Sequence, residues 1–282
     1  STALATAVTV TYQYHDTMFH EALTPLPFTL IGVALGIFLG FRNNASYDRF
    51  WEGRKLWGGM VNTTRTMTRQ VLTLVGPQEP DEESIATRKA LVYRVIAYSH
   101  AVRKHLRDDR DFEELRPFLP ESELLKLQHE LNPPIAILQR MGDEFRRCWN
   151  LGWVHPMHFP ALEATLTEFT NLQGGCERIK STPIPFSFNI LLHRIVAVYC
   201  VTLPIGIIDQ VGVGTPAVVA MVSYAFFGLD AVGEEIENPF GLDANDLPLS
   251  AITRMIEVNL RQRLHETELP PLLKPDRQDV LT

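Results

Sequence analysis

The chain has 282 residues and a formal net charge of −7, with 21% charged and 45% hydrophobic residues. An acidic chain of this kind does not match the clustered Lys and Arg of nucleic-acid binders, so no nucleic-acid partner is expected. Three cysteines fit neither a disulfide framework nor a zinc-ligand spacing, which indicates reduced thiols.

The first apolar run, STALATAVTVTYQY, covers residues 1–14 and opens on Ser1. It lacks the basic segment that begins a secretory signal peptide, so it is not interpreted as one. We expect an N-terminal segment to precede this run in the natural protein, and the first helix to be incomplete in this sequence.

The second apolar run, LIGVALGIFLGF, covers residues 30–41 and contains two rows that recur at every fourth position: Gly32, Gly36 and Gly40, and beside them Val33, Ile37 and Phe41. On a helix each row lies on one face. The glycine row lets another helix approach closely. If identical subunits meet at an axis, the apolar row forms a constriction that gates ions by dewetting. The alternative is core packing in a soluble helical protein.

Basic residues are strongly segregated along the chain. No Lys or Arg occurs from Ser1 to Phe41 or from Ile195 to Thr253, and all 26 lie elsewhere. Lys and Arg accumulate on the cytoplasmic side of membrane spans, so this pattern predicts a multi-pass protein of the inner (plasma) membrane. Four spans place both termini in the cytoplasm and the loop HDTMFHEALTP outside. The predicted spans are roughly 1–14, 27–41, 185–208 and 211–229.

The rest of the chain is predicted to be helical, without strands or repeats. Leu91, Val95, Tyr98 and Val102 share one helical face, and a later stripe of Leu249, Ile252, Ile256 and Leu260 follows a predicted N-cap at Asp246. The predicted domain organisation comprises transmembrane helices 1–2 (1–41), a cytosolic helical region (42–184), transmembrane helices 3–4 (185–229), a cytosolic helical segment (230–267) and an extended or disordered tail (268–282).

Three motifs in order, IFLGFRNNASYDRFWEGRKLWG, GGCERIKSTPIPF and EEIENPFGLDANDLPL, resemble the bacterial bestrophin-like channels over nearly the whole chain. The resemblance implies a five-fold symmetric, all-helical membrane channel with one axial pore. It places Val33, Ile37 and Phe41 in a narrow hydrophobic neck. It also implies a second constriction at the cytosolic mouth, for which Met157 is the candidate.

Polar residues near the predicted pore give further candidates. If the second helix continues along the pore, Asn43 and Asn44 contact ions below the neck. Animal bestrophins bind calcium just after the fourth span, where this chain has Glu234, Glu235 and Glu237. These are candidate ligands for a divalent ion, calcium or zinc. An apolar residue and a proline interrupt the run, however, so no required cofactor is expected. The alternative is that these carboxylates pair with cytosolic Arg and Lys.

We interpret the chain as a homopentameric channel that conducts small monovalent ions passively, in contact with membrane lipid. No phosphate loop, metalloprotease motif or nucleophile pattern is present, so an enzyme is not expected. Animal relatives favour chloride and some bacterial relatives pass sodium. The acidic balance and the lack of a basic ring near the neck favour sodium or other cations here. A chloride channel, a secondary transporter and a non-conducting membrane scaffold are the alternatives.

Overall fold

The computed structural model describes residues 2–14, 25–275 and 281, and within these ranges the fold is all-helical. The helices are α1 (Thr2–Tyr14), α2 (Pro25–Leu74), α3 (Glu82–Leu106), α4 (Glu121–Leu127), α5 (Pro133–Asn150), α6 (Phe159–Ser181), α7 (Phe186–Val211), α8 (Thr215–Glu235) and α9 (Leu249–Arg263), with short 3-10 turns at Glu113–Leu115 and Gly212–Gly214. No β-strand occurs in the described ranges, although Val75 and Val154 form one isolated bridge. The loop predicted to face outward lies largely outside them.

The chain divides into two compact units. Unit 1 comprises Ser1–Phe50 and Pro183–Asn238, and unit 2 comprises Trp51–Thr182 and Pro239–Thr282. In the part of the chain that the structure describes, two segments are long and apolar enough to cross a membrane, namely Pro25–Leu74 and Phe188–Glu235. The second segment contains most of α7 and all of α8. The count of four spans stays a prediction.

Unit 1 has a core in which α1, α7 and α8 pack against one another and against the first half of α2. Its buried side chains are aliphatic or aromatic, with one buried thiol: Ala5, Phe28, Leu35, Leu39, Val196, Tyr199, Cys200, Leu203 and Val219. Helix α7 contains Pro204, which removes one backbone donor from the helix interior.

Unit 2 is organised around α3, whose second half is largely buried and which packs against α5, α6 and α9. A capping box begins this helix: the Asp81 carboxylate accepts the Ser84 backbone N–H at 2.8 Å, and the Ser84 hydroxyl accepts the Asp81 N–H at 3.1 Å. The predicted stripe on α3 is confirmed, since all four of its residues are fully buried. The Tyr98 hydroxyl donates to the Phe169 carbonyl at 3.0 Å, so this buried polar group is satisfied.

The predicted start of α9 was wrong. The helix begins at Leu249 after Pro248, and the Asp246 carboxylate instead accepts the Asp243 N–H at 2.8 Å within the preceding turn. Aspartate stabilises a turn by this local hydrogen bond as readily as it caps a helix, so the sequence signal was ambiguous. The apolar stripe itself is buried, apart from the half-buried Ile252.

A charged cluster lies between α3 and α9 in unit 2. The buried His100 has Nδ1 at 3.2 Å from Glu114 Oε1 and Nε2 at 3.6 Å from Glu257 Oε2. Arg254 and Arg261 each approach the Glu257 carboxylate to 3.1 Å. Burial alone would raise the pKa of the Glu257 carboxyl, but the contacts with His100 and the two arginines outweigh it, so the pKa lies below its ordinary value.

Replacing Glu257 with Gln is expected to destabilise the protein by about 2 kcal/mol near neutral pH, because charge-assisted hydrogen bonds are lost. Because the pKa of the Glu257 carboxyl is lowered in the folded state, its ionised form stabilises the fold at pH values above the ordinary pKa of 4.5. This stability disappears as the pH falls through the folded-state pKa. The difference in unfolding free energy between wild type and Glu257→Gln should therefore become smaller at acid pH. Thermal unfolding of the full chain in detergent over a pH series measures this difference.

The matched control is Glu113→Gln, because Glu113 forms an exposed ion pair with Arg116 and such pairs contribute about 0.2–1 kcal/mol at most. A Glu257→Gln effect of the same size at every pH would contradict the assignment of the lowered pKa.

Candidate functional site: the first half of α2

Within unit 1, α2 has one face that its own chain covers. The residues on this face recur at helical spacing and are buried: Phe28, Leu35, Leu39, Arg42 and Ser46. The three apolar members join the core with α1, α7 and α8. This stripe fixes the rotation of α2, so the other faces of the helix have defined directions.

The predicted neck residues lie on an uncovered face. Val33, Ile37 and Phe41 have exposed fractions of 60%, 53% and 64% in the isolated chain. Exposed apolar residues in a continuous row indicate surface that another apolar partner covers. Lipid, a neighbouring subunit and a narrow pore are each such an environment. The structure thus presents the three side chains together on one surface, and their role in a neck stays a prediction.

The predicted glycine row divides into two parts. At Gly32 an added Cβ would lie 2.6 Å from the Tyr199 hydroxyl oxygen, so this glycine lets α7 of the same chain pack closely. At Gly36 and Gly40 an added Cβ would meet nothing within 4 Å. Close packing inside the chain therefore explains Gly32 alone, and the other two glycines present open backbone surface beside the apolar row.

A buried ion pair follows the apolar row directly. Arg42 Nη1 contacts Asp230 Oδ1 of α8, and the two side chains are 4% and 6% exposed. The same nitrogen donates to the Asp230 carbonyl at 3.2 Å, and His193 Nδ1 lies 2.7 Å from Asp230 Oδ2. The ion pair therefore connects α2 to α8 one residue after Phe41, and His193 adds α7 to the same carboxylate.

Sequence reasoning missed Asp230 as the partner of Arg42. A signal was present, because Asp230 is an isolated acid in an apolar run that contains no basic residue. Intramembrane acids of this kind commonly pair with a buried base. Arg194, the basic residue next to His193 on α7, is exposed.

The two predicted polar pore residues differ in their surroundings. The Asn43 amide nitrogen donates to the Leu229 carbonyl at 3.0 Å, so this side chain contacts α8. Asn44 is exposed on the next position of α2. Contact with an ion stays a prediction for both residues, and Asn44 has the freer side chain of the two.

The acidic run covers the end of α8 and the residues just after it. Both Glu237 oxygens accept hydrogen bonds, one from the Ile184 N–H just before α7 at 3.0 Å and one from the Asn189 amide in its first turn at 3.1 Å. Glu234 and Glu235 are exposed. Among the described residues no group of three or more His, Cys, Asp or Glu side chains could hold a metal ion. A calcium or zinc site at these carboxylates stays a prediction, and it would need further oxygen ligands beyond these side chains.

Met157 lies in unit 2, in the connection between α5 and α6, and its side chain is exposed. The Met157 backbone N–H donates to His155 Nδ1 at 3.2 Å, and the rings of His155 and His158 lie 5.4 Å apart between centroids. An exposed methionine at the edge of a short turn suits a constriction between subunits, which stays a prediction.

These features define the class of protein. The apolar helical segments 25–41 and 195–235 contain no basic residue, α2 has an uncovered apolar face, and a buried ion pair connects α2 to α8. Together these features characterise a helical membrane protein.

Comparison with known proteins agrees with a helical membrane protein and also indicates its family. The family described as "Bacterial/Fungal Bestrophin protein" matches residues 1–262. A voltage-dependent anion channel-forming protein of Mesorhizobium japonicum is 40% identical over 88% of this chain and 77% of its own length. The voltage-dependent anion channel-forming protein YneE of Escherichia coli K12 is 38% identical over 92% of this chain and 83% of its own.

A crystal structure of a bacterial bestrophin homologue from Klebsiella pneumoniae, a point mutant, superposes with a TM-score of 0.86. It is 34% identical and covers 94% of this chain and 96% of its own. The chain belongs to the bacterial and fungal bestrophin family. It is accordingly a membrane ion channel rather than an enzyme, and the predicted family and all-helical fold are confirmed.

The Arg42–Asp230 pair predicts a strong stability effect. Asp230→Asn leaves a buried guanidinium without its counter-ion and should cost about 3–5 kcal/mol of unfolding free energy. Exposed Glu234 on the same helix supplies the control, since Glu234→Gln should change stability by less than about 0.5 kcal/mol. Thermal unfolding in detergent measures both.

The paired variant Arg42→Met with Asp230→Leu removes both charges, and should recover most of the lost stability. Wild-type stability of Asp230→Asn alone would show that the pair does not hold α2 against α8.

Proposed function

We propose that this chain assembles as a homopentamer in the inner membrane and passively conducts small monovalent anions along its central axis. Val33, Ile37 and Phe41 form the narrow neck of the pore, and Met157 forms a second constriction at the cytosolic mouth. The observation that carries the proposal is the continuous apolar row on α2, exposed in the single chain beside the open backbone of Gly36 and Gly40.

The adjacency of the two rows supports an oligomer over a monomer in lipid. Open glycine backbone gives lipid little to pack against but lets a second helix approach closely. If a neighbouring subunit packs on Gly36 and Gly40, the apolar row one position away turns toward the axis. Five such rows form a ring without polar groups, where desolvation sets the barrier to an ion.

Anions are proposed because relatives at 38–40% identity are named anion channel-forming proteins. Those names do not support the cation preference expected from the acidic composition. The buried Asp230 adds no net negative charge beside the neck, because Arg42 neutralises it. The topology proposed with this function has four spans and cytoplasmic termini, which follows the segregation of basic residues.

Cation conduction is the second candidate, and one residue favours it. Asp48 is exposed on α2 seven positions after Phe41, hence on nearly the same helical face. Five exposed carboxylates below the neck would attract cations. The reversal potential of purified protein in a planar bilayer under a sodium chloride gradient distinguishes the two. A reversal potential near the chloride limit supports the proposal, and one near the sodium limit contradicts the proposed anion selectivity. In the second case, Asp48→Asn should move the reversal potential toward zero.

The neck assignment predicts that Ile37→Ala and Phe41→Ala increase single-channel conductance. Smaller side chains widen and hydrate the ring, and a barrier lower by about 0.5–1 kcal/mol gives a roughly two- to fivefold increase. Phe38→Ala is the matched control, because Phe38 is exposed on a neighbouring face of the same helix. Its conductance should remain at the wild-type value.

Unchanged or reduced conductance of both variants, in oligomers of normal size, would contradict the neck. An equal increase in Phe38→Ala would show that the effect is not specific to the apolar row.

A further inference from the structure

A cleft of about 480 Å³ lies in unit 2, between the second half of α2 and α9. Its lining is basic and contains no carboxylate. Arg65 and Arg69 contribute from α2, and Arg263 contributes from the end of α9. All three arginines are exposed, and among the described residues none of them forms an ion pair. The cleft therefore concentrates three formal positive charges without internal compensation.

The nearest carboxylate along the chain from Arg263 is already engaged elsewhere. Glu266 contacts the Tyr93 hydroxyl, Lys89 at 3.3 Å and Arg261 at 2.6 Å. Burial acts to raise the pKa of the Glu266 carboxyl, but these three contacts outweigh it and lower the pKa. Glu266 is thus a stable anion paired with other cations.

The wall of the cleft carries a buried hydroxyl without a partner. Thr68 is 1% exposed and lines the cleft, and its Oγ1 has no hydrogen-bond partner in the structure. A threonine within a helix usually bonds the carbonyl one turn earlier, as Thr73 does to Arg69 at 2.8 Å. An unsatisfied buried hydroxyl is costly, and a ligand that accepts its proton would remove that cost.

From the three free arginines, the carboxylate-free lining and the unpartnered Thr68 hydroxyl, we infer that this cleft is a binding site for a small phosphate-bearing polyanion. Guanidinium groups bind phosphate oxygens in bidentate geometry, and three of them match two or more negative charges. Asn259 and Gln262 supply amide groups at the α9 side. The cleft volume falls within the range of small-ligand sites. This site uses none of the residues of the proposed pore, and its test requires no conduction.

Calorimetric titration of the full chain in detergent with pyrophosphate tests the site. Wild type should show saturable binding of one pyrophosphate per chain, weakened by added salt. Arg69→Gln and Arg263→Gln should each weaken binding about tenfold or more, since each loses a charge-assisted hydrogen bond. Thr68→Val keeps the side-chain volume and should weaken binding by a smaller factor.

The matched control is Arg146→Gln. Arg146 is an exposed arginine of α5 in a groove that also contains Asp143 and Glu163, so pyrophosphate affinity should not change. Competition then identifies the natural source: displacement by short-chain phosphatidic acid indicates a lipid headgroup, and displacement only by soluble phosphate esters indicates a metabolite.

Absence of saturable binding would overturn the site, as would equal affinity in Arg69→Gln, Arg263→Gln and wild type. Saturable binding would be absent, for example, if carboxylates of a neighbouring subunit neutralised the three arginines. Because both arginines are exposed, the variants should keep their thermal unfolding temperatures, and a measured loss of affinity therefore reports on the ligand contact.

Discussion

Helix α2 imposes the constraint on which the rest of unit 1 depends: in its first half, the described residues cover only one of its faces. The buried stripe that includes Leu35 and Leu39 packs into the core of unit 1. The apolar row and the two open glycines face away from that core. A monomer in water would leave this surface exposed, at a cost of roughly 25 cal/mol per Å² of apolar area. Membrane insertion reduces that cost. Close packing of a second copy of the chain would also cover the open backbone at the two glycines.

The charged side chains near the end of the apolar row have partners inside the chain. Arg42 and Asp230 neutralise each other, and Glu237 holds the start of α7 through both carboxylate oxygens. Buried charges are tolerated among apolar helices only when they are paired. Because Arg42 follows Phe41 directly, the ion pair also fixes the rotation of α2 where the neck is proposed to end. The ion pair thereby orients the apolar row, whose own side chains can form no directional polar contact.

Much of the fold could be predicted from the sequence, because it depends on local periodicity. The α3 stripe and the segregation of basic residues were visible without coordinates. The partner in a contact distant in sequence was not predictable. Asp230 stands out as an isolated acid in an apolar run, but nothing local to it indicates that its partner is Arg42, 188 positions away. The N-cap at Asp246 failed because one aspartate can stabilise a turn or a helix start.

The site was predictable only in part for a related reason. The spacing of Gly32, Gly36 and Gly40 is uniform, so the sequence treats them as one surface. The structure separates them, because Tyr199 covers Gly32 and no described residue covers the other two. Similarly, a run of glutamates suggests a metal site, although Glu237 is occupied by backbone and amide donors. Which partner each side chain meets depends on tertiary packing rather than on spacing.

The native thiols permit a direct test of the central claim, that the exposed apolar row lines the pore. All three native cysteines are buried, and burial raises the pKa of Cys148 to about 11 and of Cys176 to about 12. Native thiols of this kind react slowly, so an introduced cysteine can be labelled selectively.

The measurement is the current through Ile37→Cys channels before and after a bulky methanethiosulfonate reagent, with Leu39→Cys, on the buried face, as the control. We predict that modification of Ile37→Cys reduces the current by more than about half, because the adducts fill a narrow ring, and that the control current does not change. An unchanged current in fully modified Ile37→Cys channels would contradict a neck at this row.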